Sequence, residues 1–366
     1  MPFLRLIADD LTGALDTAAE LAGLCGQIAV MWNNEPADAP SCLAIDTGTR
    51  ELPASDAVAT IVKLAPFLKG ADIAFKKVDS LLRGPWAAEL AACFSLGLWR
   101  HCIVAPAFPH QGRRTLDGRQ WARSDGGPWR DVGGDLAASL RAEGAPASAG
   151  RIAEGLRDGI TIFDAATDAD LLEIASLAAQ AQGPILWCGT GGLARALASG
   201  HHIKPSHTLQ KPVLGFFGSD QGVTRVQIEA CRPHRMTING ESDVEEINRR
   251  LASSGVAFLN IGLLSNMTRP EAAARIMSAF GEVASGLQKP RTLIVAGGET
   301  LRAVCLSLGA TSLDVVGQVE PGVPRSVMRG GRWDGIEVIS KSGAFGEKNL
   351  WRDLLIENGL MNEEPD

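Results

Sequence analysis

Two adjacent carboxylates stand at the end of an apolar segment near the start of the chain. The segment IADDLTGALD (7–16) places Asp9 and Asp10 after a strand-like run and before a Thr-Gly turn that opens a helix. In parallel sheets, ligands bind at the carboxyl ends of the strands, so one Asp can face a ligand while the other caps the helix or holds a backbone amide. Both could instead only cap the helix, because Asp is favoured at that position.

A second polar segment combines cations, a carboxylate and a hydroxyl. In FKKVDSLLRG (75–84), the alternation of side chains along a strand puts Lys77 and Asp79 on one face, and Arg83 follows in the turn. A guanidinium matches a carboxylate with two hydrogen bonds, and an Asp accepts hydrogen bonds from neighbouring hydroxyls. The segment therefore suits a small polyhydroxylated acid, although an ordinary solvated face of ion pairs has the same residue types.

Three strand-like segments in the C-terminal half end in glycine turns: GSDQG (218–222), GGET (297–300) and KSGAFG (341–346). A helix start offers unpaired backbone N–H groups and a positive dipole end, and glycine lets the backbone approach an anion. The turns predict a phosphate site in which Lys341 is a point charge, although a Gly after a strand is also the ordinary way to turn into a helix. The candidate nucleotide contacts in them are Ser219, Gly297, Gly298, Glu299, Thr300, Lys341, Gly343 and Gly346.

A fourth junction, ILWCGTGGLARAL (185–197), fits the G-x-G-x-x-A pattern of dinucleotide-binding proteins. The acidic residue expected about 20 positions further on is missing, because no Asp or Glu lies between Glu173 and Asp220. We expect these glycines to serve close helix packing or an edge of a substrate cleft. A nicotinamide-dependent oxidoreductase of a small hydroxy acid stays an alternative.

Strand-like and helical segments alternate throughout, which predicts an α/β fold: two α/β domains with mostly parallel sheets and a cleft between them. The polar, proline-containing segment 199–212 is the predicted linker between a domain at 1–205 and a second at 213–366. Residues 110–135 lack periodicity and are expected to form a long loop or an irregular hairpin.

Composition narrows the function classes. A net charge of −7 over 366 residues argues against a nucleic-acid partner. No apolar run approaches the roughly 18–20 residues of a membrane span, and the N-terminus does not read as an export signal. The seven scattered cysteines favour reduced, buried thiols, so we expect a cytoplasmic protein.

The motifs IADDLTGALD, FKKVDSLLRG, VAPAFPHQGR, GTGGLARAL, GSDQG, VAGGET and KSGAFG occur in this order from residue 5 to about residue 355. In this order and spacing the chain resembles the four-carbon acid sugar kinase family. The resemblance implies a sugar-acid-binding N-terminal domain and a nucleotide-binding C-terminal domain. Leu11 and Leu81 differ from the residues usual in the family, so the acid is left unspecified.

The resemblance implies transfer of the ATP γ-phosphoryl group, with Mg²⁺, to a terminal hydroxyl of a threonate, erythronate or 3-oxo-tetronate. On the acid side it matches Asp9, Asp10, Gly13, Lys77, Asp79 and Arg83. In this hypothesis Asp10 or Asp9 deprotonates the hydroxyl, and Arg83 with Lys77 holds the substrate carboxylate. A non-catalytic sugar-acid-binding protein is the other alternative, and the metal ligands and assembly into a homo-oligomer stay open.

Overall fold

The computed structural model describes residues 1–32, 39–123, 127–238, 243–261, 267 and 269–362. The chain divides into two compact units, Met1–Ile203 and Lys204–Asp366. The domain limits that the sequence suggests, at residues 205 and 213 with a linker over 199–212, stay a prediction. Among the described residues, no helix is both long and apolar enough to cross a membrane.

The N-terminal unit is built on short, buried, apolar strands such as LRLIA and HCIVA. Its strands are β1 (Leu4–Ala8), β2 (Ile28–Trp32), β3 (Cys42–Asp46), β4 (Ile73–Lys77), β5 (His101–Ala105), β6 (Arg113–Leu116), β7 (Arg119–Ala122), β8 (Arg130–Asp135), β9 (Ala147–Gly150), β10 (Gly159–Phe163) and β11 (Ile185–Gly189). Eight of them form a parallel sheet in the order β2-β3-β1-β4-β11-β5-β10-β9. Continuous apolar strands fit this arrangement, because a parallel sheet is covered on both faces.

Helices cover that sheet and bury its apolar side chains. They are α1 (Leu11–Cys25), α2 (Ala54–Leu64), α3 (Trp86–Ser95), α4 (Leu136–Ala142), α5 (Asp168–Ser176) and α6 (Gly191–Leu197). One core cluster packs side chains of β3, β4, β5 and β11 against α2, α3 and α4. The side chain of Asp10 caps the start of helix α1, and Gly26, where φ is 77°, follows its last residue.

Residues 113–135 form a small antiparallel sheet in the order β6-β7-β8, with residues 124–126 outside the described part. Of the two alternatives predicted for 110–135, the long loop is wrong and the irregular hairpin is confirmed, because β6 and β7 pair antiparallel and β7 pairs with β8 with a register shift between Arg119 and Trp121. The short strands of this sheet contain Gly, Arg and Asp and lack an alternation of apolar and polar residues, so the sequence pattern does not predict them.

The C-terminal unit has a second sheet, in the order β13-β14-β12-β15-β18-β17-β16. Its strands are β12 (Val213–Phe217), β13 (Arg235–Ile238), β14 (Val256–Ile261), β15 (Thr292–Ala296), β16 (Ser312–Glu320), β17 (Val323–Arg329) and β18 (Glu337–Lys341). Its helices are α7 (Gly222–Glu229), α8 (Val244–Ser254), α9 (Arg269–Gly286), α10 (Gly298–Ser307) and α11 (Leu350–Glu357). The first five strands in this order are parallel, and β17 and β16 add antiparallel pairs. The predicted α/β fold with mostly parallel sheets is confirmed.

Candidate functional site

The carboxyl ends of β3, β1 and β4 lie side by side, because β1 pairs in parallel with both neighbours. This register brings Asp9 and Asp10, after β1, next to Lys77 and Asp79 at the end of β4. The turn after β3 adds Arg50, which the sequence reasoning did not single out. The predicted acid-side residues thus gather at one edge of the N-terminal sheet.

Arg50 is the hub of this cluster. Its Nε and Nη2 donate to the two carboxylate oxygens of Asp9, each at 2.8 Å, and Nη2 also donates to Asp10 Oδ1 at 2.6 Å. Asp79 Oδ1 lies 3.6 Å from the same Nη2. Arg50 directly follows the segment Thr47–Gly48–Thr49, and only the position of this segment after a buried strand indicates a site.

The cluster favours the ionised forms of Asp9 and Asp79. Burial raises the pKa of Asp9, but the charge and hydrogen bonds of Arg50 outweigh it and leave that pKa below its ordinary value. Burial likewise raises the pKa of Asp79, yet the hydrogen bonds of Arg83 and the charge of Arg50 lower it well below its ordinary value. Asp10 caps α1 by accepting from the Gly13 amide at 2.8 Å.

The absence of a side chain at Gly13 makes room for the ammonium group of Lys77. A Cβ placed on Gly13 would lie 2.8 Å from Lys77 Nζ and 2.6 Å from Asp10 Oδ1. Lys77 is only 3% exposed, and its Nζ donates to the Val78 carbonyl at 2.8 Å. The glycine therefore leaves room for the ammonium beside the Asp10 carboxylate.

Lys76, on the other face of β4, makes a buried ion pair with Glu89 of α3 at 2.6 Å. Burial lowers the pKa of Lys76, but Glu89 and Asp9 raise it above its ordinary value. This pair anchors the end of β4 against α3, directly below the site. Since removing one partner of a buried pair leaves an uncompensated charge, both residues belong to the framework of the site.

The guanidinium of Arg83 is hydrogen-bonded to Asp79. Its Nε and Nη2 donate to the two oxygens of that carboxylate, each at 2.8 Å, and the backbone N–H groups of Leu81 and Arg83 donate to Oδ2 as well. The pKa of Arg83 is raised by its hydrogen bond to Asp79. The predicted grip of Arg83 on a substrate carboxylate remains a prediction, and in this structure two of its nitrogens serve Asp79.

Asp16, one turn beyond Gly13 on α1, is a further buried carboxyl that the sequence reasoning did not select. Burial raises its pKa to about 6, although Lys77 and a hydrogen bond from Thr17 act in the opposite direction. Its place in the motif IADDLTGALD was visible in the sequence, but its burial was not.

In the C-terminal unit, β12, β15 and β18 are neighbours, so the three glycine turns lie at one edge of the sheet. The Gly297 amide donates to the Lys341 carbonyl at 3.0 Å, and Thr224 Oγ1 donates to the Gly343 carbonyl at 2.7 Å. A Cβ on Gly343 would stand only 1.8 Å from Ser219 Oγ. The three turns are therefore packed against one another, and the phosphate site predicted there stays a prediction.

Helix α10 starts at this edge without a side-chain cap: its N-cap is Gly297, with φ 111°. The first amides of the helix are therefore open to an anion. Glu299 is exposed in the first turn, whereas Thr300 is buried against Gly218. Gly346 has φ 82°, a value that suits glycine.

Lys341 is placed differently from the expected point charge. Its side chain is 1% exposed, and Nζ donates to Thr224 Oγ1 and to the carbonyl groups of Ser342 and Gly343 at 3.1–3.3 Å. Burial lowers the pKa of Lys341 to about 7, although Glu320 acts in the opposite direction. The ammonium thus holds the backbone of its own turn, and its contact with a nucleotide stays a prediction.

A cavity of about 1070 Å³ opens beside the β12 turn. Residues of β12, α7 and β14 line it, among them Ser219, Thr224, Arg225 and Asn260. Its size suits a nucleoside, since ligand cavities usually measure roughly 300–1,000 Å³.

The glycines of the GTGG junction have packing reasons. A Cβ on Gly189 would lie 2.6 Å from the Ala105 carbonyl oxygen, and one on Gly192 would lie 2.5 Å from that of Ala107. Gly191 packs against the ring of Phe108 in the same way. These contacts account for the glycines without a dinucleotide.

The two units are α/β domains, with a cluster of charged residues at the carboxyl edge of the first sheet and three glycine turns at that of the second. Family models agree: a sugar-binding N-terminal domain matches residues 4–135 and 129–197, and a nucleotide-binding C-terminal domain matches residues 214–350. The chain belongs to the four-carbon acid sugar kinase family, which confirms the resemblance seen in the sequence. It is a phosphotransferase with an alcohol group as acceptor.

Named relatives cover nearly the whole chain. A D-threonate kinase of Cupriavidus necator is 33% identical over 94% of this chain and 96% of that protein. A 3-oxo-tetronate kinase of Pseudomonas savastanoi pv. phaseolicola is 27% identical over 97% of each. A solved structure from Salmonella typhimurium LT2 matches with a TM-score of 0.77 at 22% identity, covering 96% of this chain and 98% of that chain, which speaks for the fold alone.

Proposed function

We propose that this protein is an ATP-dependent kinase that phosphorylates a terminal hydroxyl of a four-carbon sugar acid, with D-threonate as its first candidate. The choice of D-threonate rests on the relative that is 33% identical, compared with 25–27% for the 3-oxo-tetronate and D-erythronate kinases named in the same comparison. One structural observation carries the kinase mechanism. Three glycine turns lie at the carboxyl ends of the neighbouring strands β12, β15 and β18.

The nucleotide is bound by the backbone amides of these turns and by the open start of α10. Ser219, Gly297, Gly298, Thr300, Gly343 and Gly346 shape the phosphate site, and Lys341 keeps the third turn in place. Phosphoryl transfer passes through a loose, anionic transition state, so positioning and charge stabilisation matter more than covalent chemistry.

Mg²⁺ fits the donors available at this edge. When bound, Mg²⁺ would be held by one or two carboxylates together with substrate phosphates and would supply charge neutralisation to them. Glu299 is an exposed carboxylate in the first turn of α10, next to the proposed phosphate site. We assign it to the metal.

The acceptor hydroxyl is oriented and deprotonated by Asp10, with Asp9 as the second candidate. The side chain of Asp10 is 21% exposed and that of Asp9 only 5%, so Asp10 is the carboxylate that a substrate reaches. Arg50 holds both carboxylates, and Gly13 leaves space for Lys77 beside the hydroxyl. Asp79, fixed by Arg83, accepts hydrogen bonds from the remaining hydroxyls.

An ADP-release assay with ATP, Mg²⁺ and a panel of four-carbon acids tests the function. We expect D-threonate to stimulate ADP release and Asp10→Asn to lower turnover about 100-fold or more, as for a general base. Turnover of Asp10→Asn within about threefold of wild type would remove Asp10 from that role. If no acid stimulates ADP release, the proposed function fails.

We also propose a cytoplasmic location. All seven cysteines are free and buried, as expected for a protein that works in a reducing compartment.

A further inference from the structure

The motif VAPAFPHQGR contains a cation that the proposed function has not used. Arg113, the first residue of β6, is 9% exposed, and its Nη1 donates to the carbonyl groups of Gln111, Gly112 and Arg123 at 2.6–3.2 Å. In the described part of the chain, no carboxylate lies within 4 Å of it and its Nε has no hydrogen-bond partner. Buried charges are normally paired with an opposite charge, and the described partners of this guanidinium are neutral carbonyl groups.

Strand alternation places Arg113 on the same face of β6 as Thr115. Arg113 and Thr115 are the buried residues of β6, and Thr115 Oγ1 donates to Gln120 Oε1 at 2.8 Å. The amide of Gln120 in turn donates to the carbonyl groups of Ser80 and Pro106 at 3.1 and 2.9 Å. The face of β6 that carries Arg113 is therefore fastened to the turn that follows Asp79.

The charges around Arg113 agree with this placement. Burial lowers the pKa of Arg113, and Asp79 and Arg83 are the charged groups that act on it from the facing turn, in opposite directions. Asp79 already accepts two hydrogen bonds from Arg83 and two from backbone N–H groups. Asp79 therefore does not need Arg113 as its counter-ion.

Lys77 is the other cation of the site without a carboxylate within 4 Å among the described residues. It lies beside Asp10, at the end of the site where the acceptor hydroxyl is deprotonated in the proposed function. A four-carbon acid whose terminal hydroxyl lies at Asp10 has its carboxylate at the opposite end of the molecule. A planar guanidinium can bind that carboxylate with two hydrogen bonds.

We propose that Arg113 binds the carboxylate of the substrate and so makes the enzyme select acids over uncharged polyols and amides. This assignment rests on the proposed function and deepens it. It also takes the carboxylate away from Arg83, which instead fixes Asp79. The small sheet β6-β7-β8 then serves to carry Arg113 to the carboxyl end of β4.

The test compares D-threonate with its uncharged carboxamide, D-threonamide, by titration calorimetry. We expect wild type to bind the acid at least about 30-fold more tightly than the amide, and Arg113→Gln to bind both with similar affinity. A structural role alone would weaken both ligands by the same factor, and that result, or an unchanged preference, would overturn the proposal. Arg114→Gln is the matched control, because Arg114 lies on the other face of β6, with its Cζ 4.1 Å from the centroid of the Trp129 ring.

Arg113→Lys keeps the charge and loses the paired hydrogen bonds. If circular dichroism shows that Arg113→Gln does not fold, Arg113→Lys is used to test the proposal. A preference for the acid over the amide that is reduced at least about fivefold supports the proposal, and an unchanged preference overturns it. Failure of the proposed function is recognised separately. In that case wild type neither binds D-threonate nor releases ADP with it. If D-erythronate is the acid that is turned over, the same comparison is made with D-erythronate and its carboxamide.

Discussion

One guanidinium explains how three carboxylates can share a buried edge of the N-terminal sheet. Arg50 is hydrogen-bonded to Asp9 and Asp10 and lies 3.6 Å from Asp79. Burial lowers the pKa of Arg50, but the three carboxylates raise it well above its ordinary value, so the arginine stays charged. The ion pairs therefore hold all three carboxylates in place before any substrate arrives, which suits groups that orient a substrate.

Gly13→Ala tests the fit between the first turn of α1 and Lys77. The new methyl group would meet Lys77 Nζ and Asp10 Oδ1 at 2.8 and 2.6 Å, so at least one functional atom must move. We expect kcat/KM to fall about 100-fold with little loss of stability, since alanine is the better helix former. Gly281→Ala in α9 is the control, because its methyl group meets Ser307 at an ordinary 3.4 Å. Activity within about threefold of wild type would show that the contact is unimportant.

Asp16→Asn tests the buried carboxyl on α1. Its pKa of about 6 in the folded protein lies above the ordinary value of 3.8. Stability from its protonated form is thus fully present below pH 3.8 and is lost as the pH rises through 6, at a cost of up to about 3 kcal/mol. In urea denaturation we expect Asp16→Asn to be more stable than wild type at pH 7.5 and equal to it near pH 4. The same difference at both pH values would contradict this reading of Asp16.

At the scale of elements, the nucleotide site depends on how three strand ends pack. Neighbouring parallel strands present their following turns at one edge, and the closeness of Gly343 to Ser219 fixes two of those turns against each other. Lys341 adds hydrogen bonds inside the third turn. In the proposed nucleotide site, the backbone amides are therefore positioned by the packing of the turns against one another.

Gly343→Ala should separate the turns after β12 and β18. Its methyl group would overlap Ser219 Oγ at 1.8 Å and Ser219 Cβ at 2.7 Å. We expect ATP affinity to fall at least about tenfold while D-threonate affinity is unchanged, both measured by calorimetry. Adding Ser219→Gly removes both overlapping atoms and should restore part of the ATP affinity. An unchanged ATP affinity in Gly343→Ala would place the nucleotide elsewhere.

The sequence predicted these elements unevenly. Strands β1, β4, β12, β15 and β18 were predictable because each is an apolar run that ends in a chemically distinctive turn. The sheet β6-β7-β8 was not, because its stabilising contacts are long-range: Gln120, for example, binds Ser80 forty residues earlier. Long-range packing of this kind leaves no periodic pattern in a single sequence.

At the scale of the whole molecule, the family and the identity of the two domains followed from motif order, whereas the roles of single residues did not. Arg50 was missed because no motif surrounds it, and its three partners meet it only in the folded sheet. Lys341 was expected to face an anion, but its burial and its carbonyl partners depend on the packing of β18 against α7 residues. Side-chain direction and burial are thus the part that the sequence alone could not supply.

Phosphorus-31 NMR of a reaction with ATP, Mg²⁺ and D-threonate shows directly whether this protein phosphorylates the terminal hydroxyl of D-threonate. We predict a new phosphomonoester signal, coupled to the two protons of the terminal carbon, that grows in step with ADP and is absent without enzyme. A signal coupled to a single proton would place the phosphate on an inner hydroxyl and contradict the proposed orientation. Formation of ADP and inorganic phosphate alone, with no ester, would contradict the claim that this protein is a kinase of D-threonate.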